Sequence, residues 1–366
     1  MADHPTFGVE EEFLLVDPDS GEPVPLNTRV AELAKADGVD LQLELTSCQV
    51  ETATEVADTV ADVRSQLQRL RRVAGAAAEA AGARLLAVGL PPTLPRQFPI
   101  TDTPRYGRIA KQFGMIAHEQ GISGCHVHVA VPNRAAAIRV SNRIRQWLPL
   151  LLALTANSAI YRNADSGHAS WRHVLWSRWP SAGPPPYFDS LDAYDGAVQM
   201  MQDIGAMLDD GMVYWDVRPS ANFPTVEVRV SDVPATIAES ALLAALTRGA
   251  VMTALEEDER GVGVSPIASH ALDAAYWKSA RDGLDGQAVD LLGGYGAAPA
   301  YELLRAFVDM IAPALRSVGD LEFVTDELSR IREQGNGAMR QRAAWERRGQ
   351  VSDVIESSAA ATVEGC

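Results

Sequence analysis

Chemistry enters the chain early, at Glu10-Glu11-Glu12 within Phe7-Gly8-Val9-Glu10-Glu11-Glu12-Phe13-Leu14-Leu15-Val16-Asp17. Val, Phe and Leu dominate this stretch, and Gly8, Asp17 and Pro18 punctuate its ends, so it reads as a β-strand. Side chains alternate along a strand, which points Glu10 and Glu12 the same way, about 7 Å apart. Two carboxylates on one buried face demand a cation between them. A solvated edge carrying three acids is the plainer alternative. The same demand recurs further on. Gly124-Cys125-His126-Val127-His128-Val129-Ala130-Val131 alternates with both imidazoles on one face, and Thr225-Val226-Glu227-Val228-Arg229-Val230-Ser231-Asp232 sets Glu227, Arg229 and Ser231 on one face. Glu44 in Val39–Leu45 and Glu51 in Gln49–Ala53 form another pair if Thr46–Gln49 turns the chain tightly, although that turn lacks the Gly or Asn of a tight hairpin.

Each of these strands has one apolar face and one ionisable face. Helices must cover the apolar faces, which predicts a two-layer α+β domain with the charged groups gathered on the open side. Glu11 shares its face with Val9, Phe13 and Leu15, so it needs a cationic partner such as an Arg from a covering helix. Periodicity and capping residues predict helices over Thr28–Ala36, Val56–Ala81, Pro104–Gln120 and from Asn133 to Trp147, then one that Pro149 starts or kinks and that ends near Tyr161. Further helices are expected over Asp189–Leu208 and Ala235–Leu255, and strands over Arg84–Leu90 and Met212–Arg218. The stretch Arg162–Tyr187 has little periodicity but is dense in Arg, His and Trp, the mark of a functional loop or a homodimer contact. No domain seam is visible: residues 1–350 read as a single catalytic domain and 351–366 as a flexible tail.

Bulk composition narrows the partners. A net charge of −16 over 366 residues argues against nucleic acid or an anionic membrane as the main partner. Three cysteines form no disulfide framework, and the start lacks a secretory pattern, so a cytoplasmic, soluble protein is expected. Carboxylates with an imidazole suit Mg²⁺ or Mn²⁺ better than Zn²⁺. Acid-rich Mg²⁺ sites hold nucleotide phosphates, and Arg229 beside Glu227 is placed to stabilise a transferring phosphoryl group. No Walker or Rossmann glycine pattern is present. Three readings compete: a nucleotide-dependent ligase, a metal-dependent hydrolase that uses the His-x-His and carboxylate face without nucleotide, and a non-catalytic binding protein. Singly, each feature has a bland explanation, such as a core histidine or a cross-strand Glu–Arg pair; their recurrence on successive strands favours a site.

Gly8-Val9-Glu10-Glu11-Glu12-Phe13, Gln49-Val50-Glu51, Gly124-Cys125-His126-Val127-His128-Val129, Ala156-Asn157-Ser158, Ser170-Trp171-Arg172, Trp176-Ser177-Arg178-Trp179-Pro180 and Val226-Glu227-Val228-Arg229 together resemble the glutamate–cysteine ligase type 2 family, in its carboxylate–amine ligase branch. The likeness spans roughly Thr6 to Arg348. It implies a glutamine-synthetase-like antiparallel sheet curved into a funnel-shaped active site and backed by helices. It also implies ATP-dependent amide formation through an acyl phosphate, with glutamate and cysteine as candidate acid and amine. Metal ligands at Glu10, Glu12, Glu44, Glu51, His126 and Glu227 are implied, with catalytic roles for Arg229 and Glu51. Arg162, Arg172 and His168 are implied as substrate-binding residues, His168 standing where the family usually has a tyrosine. His126 is preferred over His128 only by that resemblance, since both share the charged face.

Overall fold

Strand β1 (Phe7–Val16) is the middle of the main sheet, and its burial alternates as its sequence does. Phe7, Val9, Phe13 and Leu15 are buried on the helical side. The other strands follow in chain order as β2 (Gln42–Leu43), β3 (Gln49–Ala53), β4 (Arg84–Leu86), β5 (Gly124–Ala130), β6 (Ile160–Tyr161), β7 (Ala164–Asp165), β8 (Val217–Pro219), β9 (Thr225–Asp232), β10 (Gln287–Val289) and β11 (Ala297–Pro299). Seven of them form an antiparallel sheet in the order β2-β3-β1-β5-β9-β8, with β4 also paired to β1. This computed structural model describes residues 4–93, 95, 97–119, 121–264 and 267–366.

Helices Val60–Ala80 and Ile237–Glu259 pack on the apolar side of the sheet, giving the expected α+β layering. Among the described residues one helix, Ile237–Glu259, is long and apolar enough to cross a membrane. It is instead enclosed: its apolar residues join the main core, and its Arg248 donates to the Pro5 carbonyl at 2.9 Å.

The ends of several elements differ from the sequence expectation, for local reasons. The second helix starts at Val60, not Val56, because the Thr59 side chain caps it by accepting from the Asp62 amide. The helix expected over Pro104–Gln120 breaks at Gly114, whose φ of 54° no helical residue adopts, into Pro104–Phe113 and Met115–His118; Gln120 lies outside the described residues. Asn133 caps Arg134–Ile144 as expected, while the helix holding Pro149 covers Leu148–Thr155 and stops short of Tyr161. Val39–Leu45 pairs only at Gln42–Leu43, Arg84–Leu90 only at Arg84–Leu86, and Met212–Arg218 is a strand only from Val217. Ser190 caps Leu191–Asp203 within the expected Asp189–Leu208. The loop Arg162–Tyr187 contains β7 and a short helix, Trp171–Trp176, capped by Ser170. The tail expected to be flexible is a helix, Val351–Thr362, whose Ile355 packs with Leu14 and Leu86 and whose Thr362 hydroxyl accepts from the Ala87 amide at 2.8 Å.

Candidate active site

Register brings the charged residues together. Glu12 lies opposite Glu51, Glu10 opposite His126, and His128 opposite Glu227, which in turn faces Arg218 on β8. Because alternate residues share a face, these pairs line one side of the sheet, around a cavity of about 250 Å³. Glu44 joins them, but not by the expected pairing. Gln42 is the residue opposite Glu51, and Glu44, two positions along, reaches the same face diagonally.

Among the described residues, three groups of side chains have ligand atoms within 4.8 Å of one another: Glu10, Glu51 and His126; Glu10, His128 and Glu227; and Glu12, Glu44 and Glu51. Both imidazoles therefore qualify as ligands, and the structure does not favour His126 over His128. His126 Nδ1 lies 3.3 Å from Glu10 Oε2, and His128 Nε2 lies 3.4 Å from Glu10 Oε1. That His128 Nε2 is buried, and this long contact with Glu10 is poorly aligned as a hydrogen bond. Oxygen-rich sets, two with one imidazole and one with none, fit Mg²⁺ or Mn²⁺.

Electrostatics divides the acids into two kinds. Burial and the neighbouring charge of Glu12 push the Glu44 carboxyl up to about 8. Burial and the charges of Glu44, Glu10 and Glu12 hold Glu51 well above the usual carboxylate range. Burial acts the same way on Glu227, yet the guanidinium groups of Arg229 and Arg218 outweigh it and hold that carboxyl well below its usual value. Glu10 is held low as well, because hydrogen bonds from His126 and His128 overcome its burial. The Glu44–Glu51 end of the site thus calls for positive charge, while the Glu227 end has its own.

Arg229 donates to Glu227 and lies 3.3 Å from His126 Nδ1. It sits at the centre of the charged face. Arg218 grips Glu227 from the other side through Nε at 2.8 Å and Nη2 at 3.2 Å. Sequence reasoning missed Arg218; the signal was Val217-Arg218 alternating just before the turn that leads into β9. Arg172 is brought to the cavity by the Trp171–Trp176 helix and lies over the Trp176 ring. Gly124 makes room for it: a Cβ there would stand 2.5 Å from Arg172 Nη2. Trp179, Tyr106, Tyr214 and Arg105, the last paired with Asp209, complete that wall.

Arg162 and His168 stand elsewhere. Arg162 and Asn163 are the two central residues of the β6–β7 turn, with φ of 52° and 58°, the mirror-image turn that tight hairpins favour. The Arg162 guanidinium lies over the Tyr161 ring, 5.4 Å from its centre, and is not among the cavity-lining residues. His168 packs against Trp171, ring centres 4.9 Å apart, and is likewise not among the cavity-lining residues.

An antiparallel sheet with a carboxylate- and arginine-lined hollow on one face and helices on the other is the architecture of carboxylate–amine ligases. Comparison with known proteins gives the family. The profile of Glutamate-cysteine ligase family 2 (GCS2) matches residues 6–357, and the chain belongs to that family. A protein of Mycobacterium sp. (strain KMS), named provisionally glutamate–cysteine ligase 2-2, is 66% identical over 363 residues, covering 99% of this chain and 100% of the relative. The crystal structure of glutamate–cysteine ligase from Francisella tularensis in complex with AMP has a TM-score of 0.71 at 14% identity, over 99% of this chain and 89% of that one. The bifunctional glutathione synthetase of Pasteurella multocida has a TM-score of 0.70 at 13% identity, over 98% of this chain and 52% of that one. The fold expected from the sequence is the fold shared with these ligases, and the hydrolase alternative finds no support among them.

Proposed function

We propose that this ligase is ATP-dependent and joins the γ-carboxylate of glutamate to the amine of cysteine, with Mg²⁺ or Mn²⁺ as the metal. The observation that carries the reading is the convergence of three carboxylate clusters and four arginines on one cavity. Glu10 would hold one cation either with His128 and Glu227 or with His126 and Glu51, and Glu12, Glu44 and Glu51 would hold another. Such cations supply charge neutralisation to the phosphates of ATP.

The chain's own residues then have distinct tasks. Arg229, fixed by Glu227, meets the charge that develops as the glutamate carboxylate oxygen attacks the γ-phosphorus and the bond to ADP breaks. Arg172 and Arg105, at the aromatic wall, suit the remaining carboxylates of the two amino acids. The amine lone pair next attacks the acyl carbon and phosphate departs. Glu51 would be ionised once a cation offsets its burial and the charges of Glu44, Glu10 and Glu12, and in that form its carboxylate would take the proton the amine sheds. Arg162 and His168 keep a substrate role only if their hairpin approaches the cavity when substrate is bound.

Phosphate release from ATP in the presence of Mg²⁺, glutamate and cysteine tests the reading. Release should require both amino acids. Release that needs neither, or none under any pairing of acid and amine, would sink it.

A further inference from the structure

Behind the charged face, Glu11 points away from Glu10 and Glu12 and is fully buried. The partner it demands is Arg71 of helix Val60–Ala80, fully buried as well. Arg71 Nε donates to Glu11 Oε2 at 3.0 Å and Nη2 to Oε1 at 2.5 Å. Its other N–H groups reach the carbonyls of Pro234 and Ala235, both at 3.0 Å, and of Thr362 at 3.2 Å. Ser240 closes the network, accepting from Arg71 at 3.2 Å and donating to Glu11 at 2.6 Å.

We propose that Arg71 is a positioning residue of the ligase site: one guanidinium, shared by Glu11, Pro234, Ala235 and Thr362, sets the placement of β1 against β9 and so the spacing of Glu10 and Glu12 from Glu227. The inference rests on the reading that these carboxylates hold divalent cations. Its argument is where the contacts fall. Glu11 lies between two ligand-bearing residues of β1. Pro234 comes two residues after the end of β9, the strand that carries Glu227 and Arg229. Thr362 is the last residue of the C-terminal helix, and its hydroxyl accepts from the Ala87 amide just beyond β4, itself paired to β1. The chain's end thereby belongs to the scaffold of the site.

Stability alone does not account for the arrangement. A buried ion pair can often be replaced by apolar residues of similar volume at no cost in stability. What an arginine with five donors in a rigid plane supplies is fixed geometry among several acceptors. Cation sites need that, because Mg²⁺ tolerates little departure from oxygen distances of about 2.1 Å.

The test uses the full chain and reads Mn²⁺ binding directly, beside ATP-dependent phosphate release. In the Glu11→Leu/Arg71→Met double variant, no charge is left unpaired. It should fold but melt below wild type, because the carbonyls of Pro234, Ala235 and Thr362 lose their donor, and where fully folded it should bind Mn²⁺ about tenfold more weakly or worse, with kcat reduced. Arg71→Lys keeps the charge and loses the fork; measured where the variant is fully folded, it should show a severalfold loss of Mn²⁺ affinity. A folded double variant with wild-type Mn²⁺ affinity would overturn the proposal. If the double variant does not fold, Arg71→Lys decides: unchanged Mn²⁺ affinity overturns it and weakened affinity supports it. Wild-type protein that binds Mn²⁺ but releases no phosphate would sink the ligase reading and leave this one standing.

Discussion

Four glutamates on one sheet face sit in opposite electrostatic states, and the difference predicts opposite responses to neutralisation. Glu51 is buried among Glu44, Glu10 and Glu12, which together push its carboxyl up. Where no cation is bound, its ionised form is a cost to the fold, one pKa unit of displacement being about 1.4 kcal/mol. Glu51→Gln should therefore raise the melting midpoint of metal-stripped protein and, in the same protein, abolish the further rise on adding Mg²⁺. Differential scanning calorimetry with and without the cation reads both. A variant that melts lower in the metal-stripped state would show Glu51 to be a structural acid. Arg229 makes the complementary case. Its charge is braced by Glu227, and its task lies in the transfer step. Arg229→Lys keeps the charge but not the planar fork. The loss expected is about 10²-fold in kcat with KM for ATP changed far less, the pattern of a group that acts on the transition state. An effect confined to KM would reassign Arg229 to binding.

The short helix Trp171–Trp176 delivers Arg172 to the cavity and carries its own pH sensitivity. Burial, reinforced by the neighbouring Arg172 charge, lowers His173 from 6.5 to about 4. A histidine whose folded value is depressed contributes stability that is complete above its unfolded value and is lost as pH falls through that value towards the folded one. Between pH 6.5 and 4 the loss is on the order of 3 kcal/mol, from the 2.5-unit difference between 6.5 and 4. Across that window the urea midpoint of wild type should fall relative to that of His173→Phe, the raised carboxyls of Glu44, Glu51 and Asp216 acting alike on both curves. Parallel curves would exclude His173 as the source. At this scale the sequence was readable where one face alternated with another. Phe7–Val16, Gln49–Ala53, Gly124–Ala130 and Thr225–Asp232 show their facing residues directly, and with them most of the cavity's acids. It was not readable where a partner lies far along the chain. The demand of Glu11 for a cation was plain, yet nothing in the Val60–Ala80 pattern distinguishes Arg71 from its neighbours Arg69 and Arg72. Glu44 was assigned the wrong opposite residue because Thr46 bridges to Ile100, so the link from Leu43 to Gln49 is not a tight hairpin. The last helix has small, unremarkable residues, and only the groove that receives Ile355 and Thr362 gives it a place.

At the scale of the whole molecule, an acidic chain gathers still more acid onto one face. Its net charge is −16, and five of its acids, Glu10, Glu12, Glu44, Glu51 and Glu227, meet at the cavity in clusters whose ligand atoms lie within 4.8 Å. Two physically different effects of added salt must then be separated. Any electrolyte screens the general repulsion, with a Debye length of about 10 Å at 0.1 M. A bound divalent cation stabilises only the folded state, by RT ln(1 + [L]/Kd), or about 2.7 kcal/mol at one hundred times Kd. For a 366-residue chain unfolding as one unit, that corresponds to a rise of roughly 3–4 °C in the melting midpoint. MgCl2 should give such a rise and NaCl at matched ionic strength should not. Glu10 belongs to two of the three clusters, so Glu10→Gln should remove most of the Mg²⁺ shift while leaving the small NaCl response intact. If NaCl matches MgCl2, or if Glu10→Gln keeps the full shift, the acids are held apart by the fold alone and no cation is needed to reconcile them.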